Sequence, residues 1–269
     1  MVCPTPIGNL EDVTLRVLAT LAQADVVACE DTRRTALLLE RHDIAARLVS
    51  YHEHNESARA RELARRIADG ELVALVSDAG TPVVSDPGYE LVQVCIARGL
   101  HVEVLPGASS VLTALVASGL PAARFSFVGF LPRARAERAT LLGGAHETLV
   151  AFESPHRLLS TLELIAASEP ARATCVCREL TKLHEEVRRG GAAELAEHYR
   201  AHRARGEVVL VCAAARAGGD VARERERALS ALRELVRAGA KPRAAASALA
   251  SLTGIGANTL YRELTRAEQ

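Results

Sequence analysis

LVALVSDAGTPVVSDPG, Leu72–Gly88, is the stretch whose reading decides the fold. Leu72-Val73-Ala74-Leu75-Val76 is a continuous apolar run rich in β-branched side chains, the pattern of a strand buried on both faces of a parallel sheet. It breaks off at Ser77-Asp78-Ala79-Gly80-Thr81-Pro82 and again at Ser85-Asp86-Pro87-Gly88, where Gly and Pro permit backbone paths that other residues resist. In open α/β sheets ligands lie beyond the carboxyl ends of the strands, where such a loop sits. Asp78 and Asp86 bring carboxylates and no Lys accompanies them, so the loop is not built to neutralise a triphosphate. Two ordinary turns leading into a helix near Tyr89 are the plain alternative; a ligand loop is the preferred reading.

The same pattern recurs on either side. Met1-Val2-Cys3 is the stub of a strand before the loop Pro4–Leu10, and Thr14 is placed to cap a helix through Leu15, Leu18 and Leu21. Ala24–Glu30 reads as a buried strand ending in Glu30-Asp31-Thr32-Arg33, either an N-cap with a solvated first turn or a substrate-facing edge. Val49-Ser50-Tyr51 is a third strand, followed by His52-Glu53-His54-Asn55-Glu56. That i, i+2 histidine spacing is not the helical zinc motif, and no metal is expected. Helices over Ser57–Asp69 and Tyr89–Arg98, a strand at Val102–Leu105 and the turn Pro106–Ser110 lead into an apolar helix, Val111–Ser118. Ser109 and Ser110 can cap that helix or, with the free N–H groups beside them, hold a carboxylate.

Alternating strand and helix implies a mostly parallel sheet in an α/β domain spanning 1–120. Beyond Pro121 the pattern changes to Phe125-Ser126-Phe127-Val128-Gly129-Phe130, which alternates with period two and holds three of the four phenylalanines. Arg133, Arg135 and Arg138 follow as a local basic patch. Thr148–Phe152, ending in Glu153-Ser154-Pro155-His156-Arg157, and Ala173–Arg178, ending in Glu179-Leu180-Thr181-Lys182, read as strands. Glu207–Ala213 closes the sheet of a second α/β domain, 121–218. Gly218-Gly219-Asp220 reads as a flexible link to a tail, 219–269, with helices at Ala222–Ala238, Pro242–Leu252 and Asn258–Thr265. The turn Thr253-Gly254-Ile255-Gly256 gives the last two a helix-turn-helix spacing. From Asp220 onward nine basic residues stand against six acidic, which suits nucleic-acid contact and equally a packing module.

Composition narrows the function classes. A formal charge of zero leaves no global field to steer the chain onto nucleic acid, so any such contact rests on local patches. Hydrophobic content of 49% with 25% charged residues is that of a soluble globular protein. The six cysteines lie mostly inside apolar runs without a C-x-x-C pair, as reduced core thiols do in a cytoplasmic protein. No leader or membrane-spanning run is seen. A Walker-type Gly-Lys loop is missing, which disfavours nucleotide hydrolysis.

Thr5–Arg16, Cys29–Thr35, Ser50–Glu56, Val76–Gly88, Leu105–Ser110, Phe152–Leu158 and Arg178–Glu186, taken in this order and spacing, resemble the tetrapyrrole-methylase superfamily. Within it they resemble the ribosomal RNA small subunit methyltransferase I family, and TGIGANTLYREL resembles that family's helical tail. The family normally has a fuller apolar strand where only Met1-Val2-Cys3 stands here. The resemblance implies two α/β domains with the cofactor in the interdomain cleft, usually as a homodimer, and a small C-terminal helical tail. It implies 2′-O-methylation by S-adenosyl-methionine of a cytidine in 16S ribosomal RNA near the decoding centre. Carried onto this chain, the cofactor should touch Pro6, Asp78, Ala79, Gly80, Thr81, Ser109, Ser110, Phe152, Leu180, Glu207 and Val208.

Ribose methylation needs an aligned hydroxyl and a group to take its proton. The carboxylates of Glu30, Asp31 and Glu53, with Glu179 and Glu185 opposite, are candidates, and Lys182 could depress the hydroxyl's pKa. Arg33, His52, Asn55, Ser154 and Arg157 are candidates for substrate contacts. The rivals are a tetrapyrrole methyltransferase on the same scaffold and a non-enzymatic RNA-binding assembly factor; the latter leaves the strand-end Gly/Pro loops unexplained.

Overall fold

The computed structural model describes residues 1–215, 217–253 and 255–266, and in the C-terminal helices the side chains of 226–253 and 255–265. Its first sheet is parallel, with β1 (Val26–Cys29) between β2 (Leu48–Ser50) and β3 (Val73–Leu75). The stub Met1–Cys3 continues this sheet past β3. Val2 bridges Leu75 and Val104, both in parallel, and the Cys3 N–H donates to the Leu75 carbonyl at 2.9 Å. The strand expected at Val102–Leu105 reduces to that single bridge at Val104. Around the sheet stand α1 (Leu15–Gln23), α2 (Thr32–Arg41), α3 (Glu56–Ala68) and α4 (Tyr89–Ala97). Their apolar stripes fill one face with Leu63 and Leu91 against Leu75 of β3, and the other with Val17, Leu21 and Leu39 beside Leu105.

α5 (Ser110–Ser118) precedes the expected domain boundary but packs beyond it. Its Val111, Ala114 and Leu115, with Ile7, bury against Val150, Cys175, Cys177, Val209 and Val211 of the second sheet. That sheet comprises β4 (Phe125–Phe130), β5 (Thr148–Glu153), β6 (Ala173–Arg178), β7 (Glu186–Gly191) and β8 (Val208–Cys212), in the order β4-β5-β8-β6-β7. Two expectations are corrected here. β8 does not close the sheet at an edge; it lies at the centre, antiparallel to both neighbours and buried throughout. β7 was not foreseen, because Glu186–Gly191 is polar and Gly-rich, as an edge strand open to water can be. The opposite face carries α6 (Arg135–Gly143), α7 (Leu158–Ser168) and α8 (Ala192–Ala201), with Leu142, Leu162, Ile165 and Leu195 in its core.

α9 (Ala217–Arg237), α10 (Pro242–Thr253) and α11 (Ala257–Arg266) share their own small core of Leu232, Ala246, Leu260 and Leu264. Gly218-Gly219-Asp220 is not a link: α9 runs through it. Each glycine costs about 1 kcal/mol in a helix, a cost a 21-residue element can carry in its first turn. Of the expected turn Thr253–Gly256, Gly254 lies outside the described residues.

Candidate active site

The strand-end loops meet in a cleft of about 410 Å³ between the two sheets. Its walls are the loop after β3 (Ala79–Thr81 and Val84–Asp86), the start of α5 (Ser109–Val111), the ends of β4, β5 and β6, and the start of β8. A second cleft of about 280 Å³ adjoins it, sharing Ile7, Ala79 and Glu207, and holds Pro6, Asp78, Arg34 and Lys182. Of the residues expected at the cofactor, Ala79, Gly80, Thr81, Ser109, Ser110, Phe152, Leu180, Glu207 and Val208 line the larger cleft, and Pro6 and Asp78 the smaller.

Backbone pairing holds the organising loop in place. Thr5 and Gly80 exchange N–H···O bonds of 2.8 and 2.9 Å, and the Thr5 hydroxyl donates to the Ser77 carbonyl at 2.9 Å. Gly80 has φ +80°, a region that disfavours side chains. On the other wall, the Ser109 Oγ accepts the Leu112 N–H and caps α5. The N–H groups of Ser110 and Val111 stand in that first turn, whose amides have no partner within the helix.

The EDTR stretch turns out to be a cap. The Asp31 carboxylate accepts the Arg33 N–H at 2.9 Å and is gripped by the Arg33 guanidinium at 3.0 and 2.7 Å. Those bonds from Arg33 hold it at about 2, so it is a feeble base. Asp78 Oδ1 accepts the Asp31 N–H at 2.9 Å, tying the organising loop to α2. Glu30 sits beside this pair, its pKa raised by burial and then by Asp78.

The HEHNE turn is also largely self-engaged. The Asn55 side chain accepts the His52 N–H at 2.9 Å and donates to the Ser50 carbonyl at 3.2 Å. His52 Nδ1 is buried without a hydrogen-bond partner, and Glu53 is exposed. Glu56 accepts the N–H groups of Gly88 and Glu90 at 3.0 and 3.2 Å, holding the start of α4.

At the end of β5, Glu153 is 2% exposed. It accepts the Ser154 N–H at 2.7 Å, the Thr161 hydroxyl at 2.6 Å and an Arg157 Nη2 contact at 2.7 Å. Arg157 also donates to the carbonyls of Pro132 and Leu131 at 3.1 and 3.2 Å, and Ser154 lines the larger cleft. Arg138, expected in the exposed basic patch, is 4% exposed and donates to the Pro132 carbonyl at 3.0 Å. Its Nη1 finds the Pro132 and Arg133 carbonyls, while its Nε is buried without a hydrogen-bond partner.

Between the clefts, Lys182 Nζ bridges Glu179 at 3.0 Å and Glu207 at 2.9 Å. Burial works against its charge, but the bonds to Glu207 and Glu179 outweigh it and raise its pKa. Glu179 also accepts the Glu207 N–H at 2.8 Å, the main cause of its lowered pKa. Both Glu179 and Thr181 adopt positive φ, +51° and +64°, a strain that clusters at functional sites. Glu185 accepts the Thr181 N–H at 2.6 Å and pins this turn.

Asp86, read from the sequence as a carboxylate of the ligand loop, was not among the catalytic or cofactor candidates. It lines the larger cleft, and burial, then the charges of Glu30, Asp78 and Glu207, push it up to about 7. Its place in the strand-end Gly/Pro loop and its repeat of the Ser-Asp pair, eight residues after Asp78, mark it in the sequence.

The chain matches the family model of tetrapyrrole (corrin/porphyrin) methylases over residues 2–196. It is 48% identical over 210 residues to a ribosomal RNA small subunit methyltransferase I of Halalkalibacterium halodurans, covering 77% of this chain and 73% of the relative. It is 45% identical over 265 residues to one of Mesorhizobium japonicum, covering 97% and 89%. Among solved structures, uroporphyrin-III C-methyltransferase of Thermus thermophilus, in complex with S-adenyl homocysteine, shares the fold with TM-score 0.54 and 24% identity, over 78% of this chain and 95% of that one. With two sheets flanking one cleft and such identity along nearly its whole length, the chain belongs to the ribosomal RNA small subunit methyltransferase I family of the tetrapyrrole methylases and is a methyltransferase.

Proposed function

We propose that this chain transfers a methyl group from S-adenosyl-methionine to the ribose 2′-hydroxyl of a cytidine in 16S ribosomal RNA near the decoding centre. The larger cleft carries the reading. Its volume of about 410 Å³ suits a small-molecule site, and the relatives are named for small-subunit ribosomal RNA. The proposal includes domain boundaries near 120 and 218, a homodimer and a cytoplasmic location.

The residues fit the cofactor. Ile7, Leu180, Val208 and Val209 offer apolar surface for an adenine, and the first-turn amides of α5 suit a carboxylate. Bound there, S-adenosyl-methionine supplies an electrophilic methyl group. The chain's own part is to align the hydroxyl, keep out bulk water and accept one proton. Glu30, Asp31, Glu53 and Glu185 line neither cleft. Among the acids that do line the larger one, Glu153 is bound to Arg157, and Glu179 and Glu207 share Lys182. Asp86 has no ion pair among the described residues, and we assign it the proton.

Gly206 supports the floor. It has φ +78°, and a Cβ there would lie 2.7 Å from Glu179 Cγ and closer still to its carboxylate. Gly206→Ala should therefore displace Glu179 and weaken S-adenosyl homocysteine binding by roughly tenfold or more in calorimetry, about the worth of one charged hydrogen bond. An unchanged affinity would show that the floor tolerates the shift.

The reading is tested by methyl transfer from radiolabelled S-adenosyl-methionine to small ribosomal subunits lacking the modification, with the labelled nucleotide mapped by nuclease digestion and mass spectrometry. Label on a cytidine ribose supports it. Cofactor binding without RNA label turns the case to a tetrapyrrole substrate.

A further inference from the structure

The β4 strand places in the larger cleft a ring to which the cofactor assignment gives no part. Along β4 and β5, Phe127 pairs with Val150 and Phe130 with Phe152, so three steps on one strand match two on the other. The extra residue is taken up at Gly129, with φ +65°. Without this bulge, strict alternation would put Phe130 on the opposite face from Phe127. With it, both rings meet Phe152 on one face, at centroid distances of 5.0 Å (Phe127) and 5.3 Å (Phe130). Phe130 thus lines the larger cleft while remaining 63% exposed.

Its mount is rigid. The Leu131 N–H donates to the Phe152 carbonyl at 3.0 Å. The turn that follows is gripped by two guanidinium groups, Arg157 on the Leu131 and Pro132 carbonyls and Arg138 on the Pro132 and Arg133 carbonyls. Just beyond it, Arg133 and Arg135 are exposed, the right charge for phosphates on either side of a base held at the cleft. Across the mouth, the loop bearing Val84 and Ser85 comes up to Gly129, where an added Cβ would lie 3.5 Å from the Ser85 Oγ. Val84 also lines the cleft and is 42% exposed, a second apolar surface for a flat ring.

We propose that Phe130 is the stacking platform for the unpaired nucleobase whose ribose is methylated, with Arg133 and Arg135 holding the adjoining phosphates; this rests on the RNA reading above. An aromatic face accepts a base turned out of its helix, and doing so fixes the ribose in front of the methyl donor. Arg138 and Arg157 act here as positioning residues for the platform.

The test compares Phe130→Ala, Phe130→Leu and Phe130→Trp in the full chain, on small ribosomal subunits lacking the modification. Removing one base–aromatic stack should raise KM for subunits on the order of tenfold. Alanine and leucine should behave alike, since leucine keeps apolar volume without a ring, and tryptophan should restore KM to near wild type. The dissociation constant for S-adenosyl homocysteine should stay within about twofold in all three, consistent with the ring serving RNA alone. A KM that leucine restores as well as tryptophan does, or that alanine leaves unchanged, overturns the proposal. So does a loss of S-adenosyl homocysteine affinity equal to the rise in KM, which would make Phe130 part of the cofactor wall. Failure of the wild-type chain itself to methylate subunits sinks the RNA reading instead, and the two failures are told apart by that control.

Discussion

Replacing Glu153 by alanine is expected to cost about 3–5 kcal/mol of stability, the range for removing one partner of a buried ion pair. The reason lies in what the carboxylate leaves behind. Glu153 is 2% exposed, and its two oxygens serve the Ser154 amide, the Thr161 hydroxyl and Arg157 together. Water cannot replace it at a fully buried Thr161. For a chain of this size such a loss lowers the melting temperature by on the order of 10 °C. Glu153→Gln keeps the shape and one acceptor and should fall between wild type and Glu153→Ala. Because both remove the same Glu153–Arg157 ion pair, Glu153→Ala and Arg157→Ala should be less than additive when combined. Thermal and denaturant unfolding of wild type and the four variants measures this directly. A Glu153→Ala chain that melts within a degree or two of wild type would mean that the bracket carries little of the fold.

Ser154 and Arg157 show where sequence reading stops. That polar residues cluster after an apolar strand is legible from Thr148–Arg157, and so is a site at the strand's carboxyl end. Which of them face solvent and which close on the backbone is not. A guanidinium that finds two carbonyls and a buried carboxylate looks the same in sequence as one that waits for phosphate. Asp31 is a similar case, since a helix cap and a catalytic acid share the same residue type and the same position after a strand. The apolar runs Val26–Cys29, Val73–Leu75 and Val208–Cys212 were legible because burial on both faces removes polar residues from a strand. The place of β8 at the centre of its sheet was not, because pairing order is settled by packing between distant segments. β7 was hidden for the opposite reason: as an edge strand it needs no apolar text. The loop Ala79–Thr81 and the cap at Ser109 were readable because their chemistry is local, a glycine with positive φ and a hydroxyl three residues before the amide it accepts.

Asp86→Asn is expected to lower kcat for RNA methylation on the order of a hundredfold at pH 8, the usual contribution of a positioned base. The working form of Asp86 is the carboxylate, and its pKa is pushed up to about 7 by burial and by Glu30, Asp78 and Glu207. Wild-type kcat should therefore climb with pH below about 7 and level off above it, while the asparagine variant should stay flat. The gap between them narrows on acidification, because wild type itself becomes protonated. The same shift makes a stability statement of definite sign. Between the ordinary carboxyl value and about 7, the unfolded chain has released this proton and the folded chain still holds it. Wild-type stability therefore falls as pH rises through that window and is level above it, so far as Asp86 contributes. Asparagine has no proton to lose, so the melting temperature of Asp86→Asn relative to wild type should rise from pH 4 to pH 7 and then stay constant. Paired kinetic and melting profiles separate two roles. A variant that shows the melting trend but keeps wild-type kcat at pH 8 would leave Asp86 a buried acid of the cleft and return the proton to another group. Loss of kcat with the ascending limb gone, and binding of S-adenosyl homocysteine intact, is the pattern of a base that meets the hydroxyl.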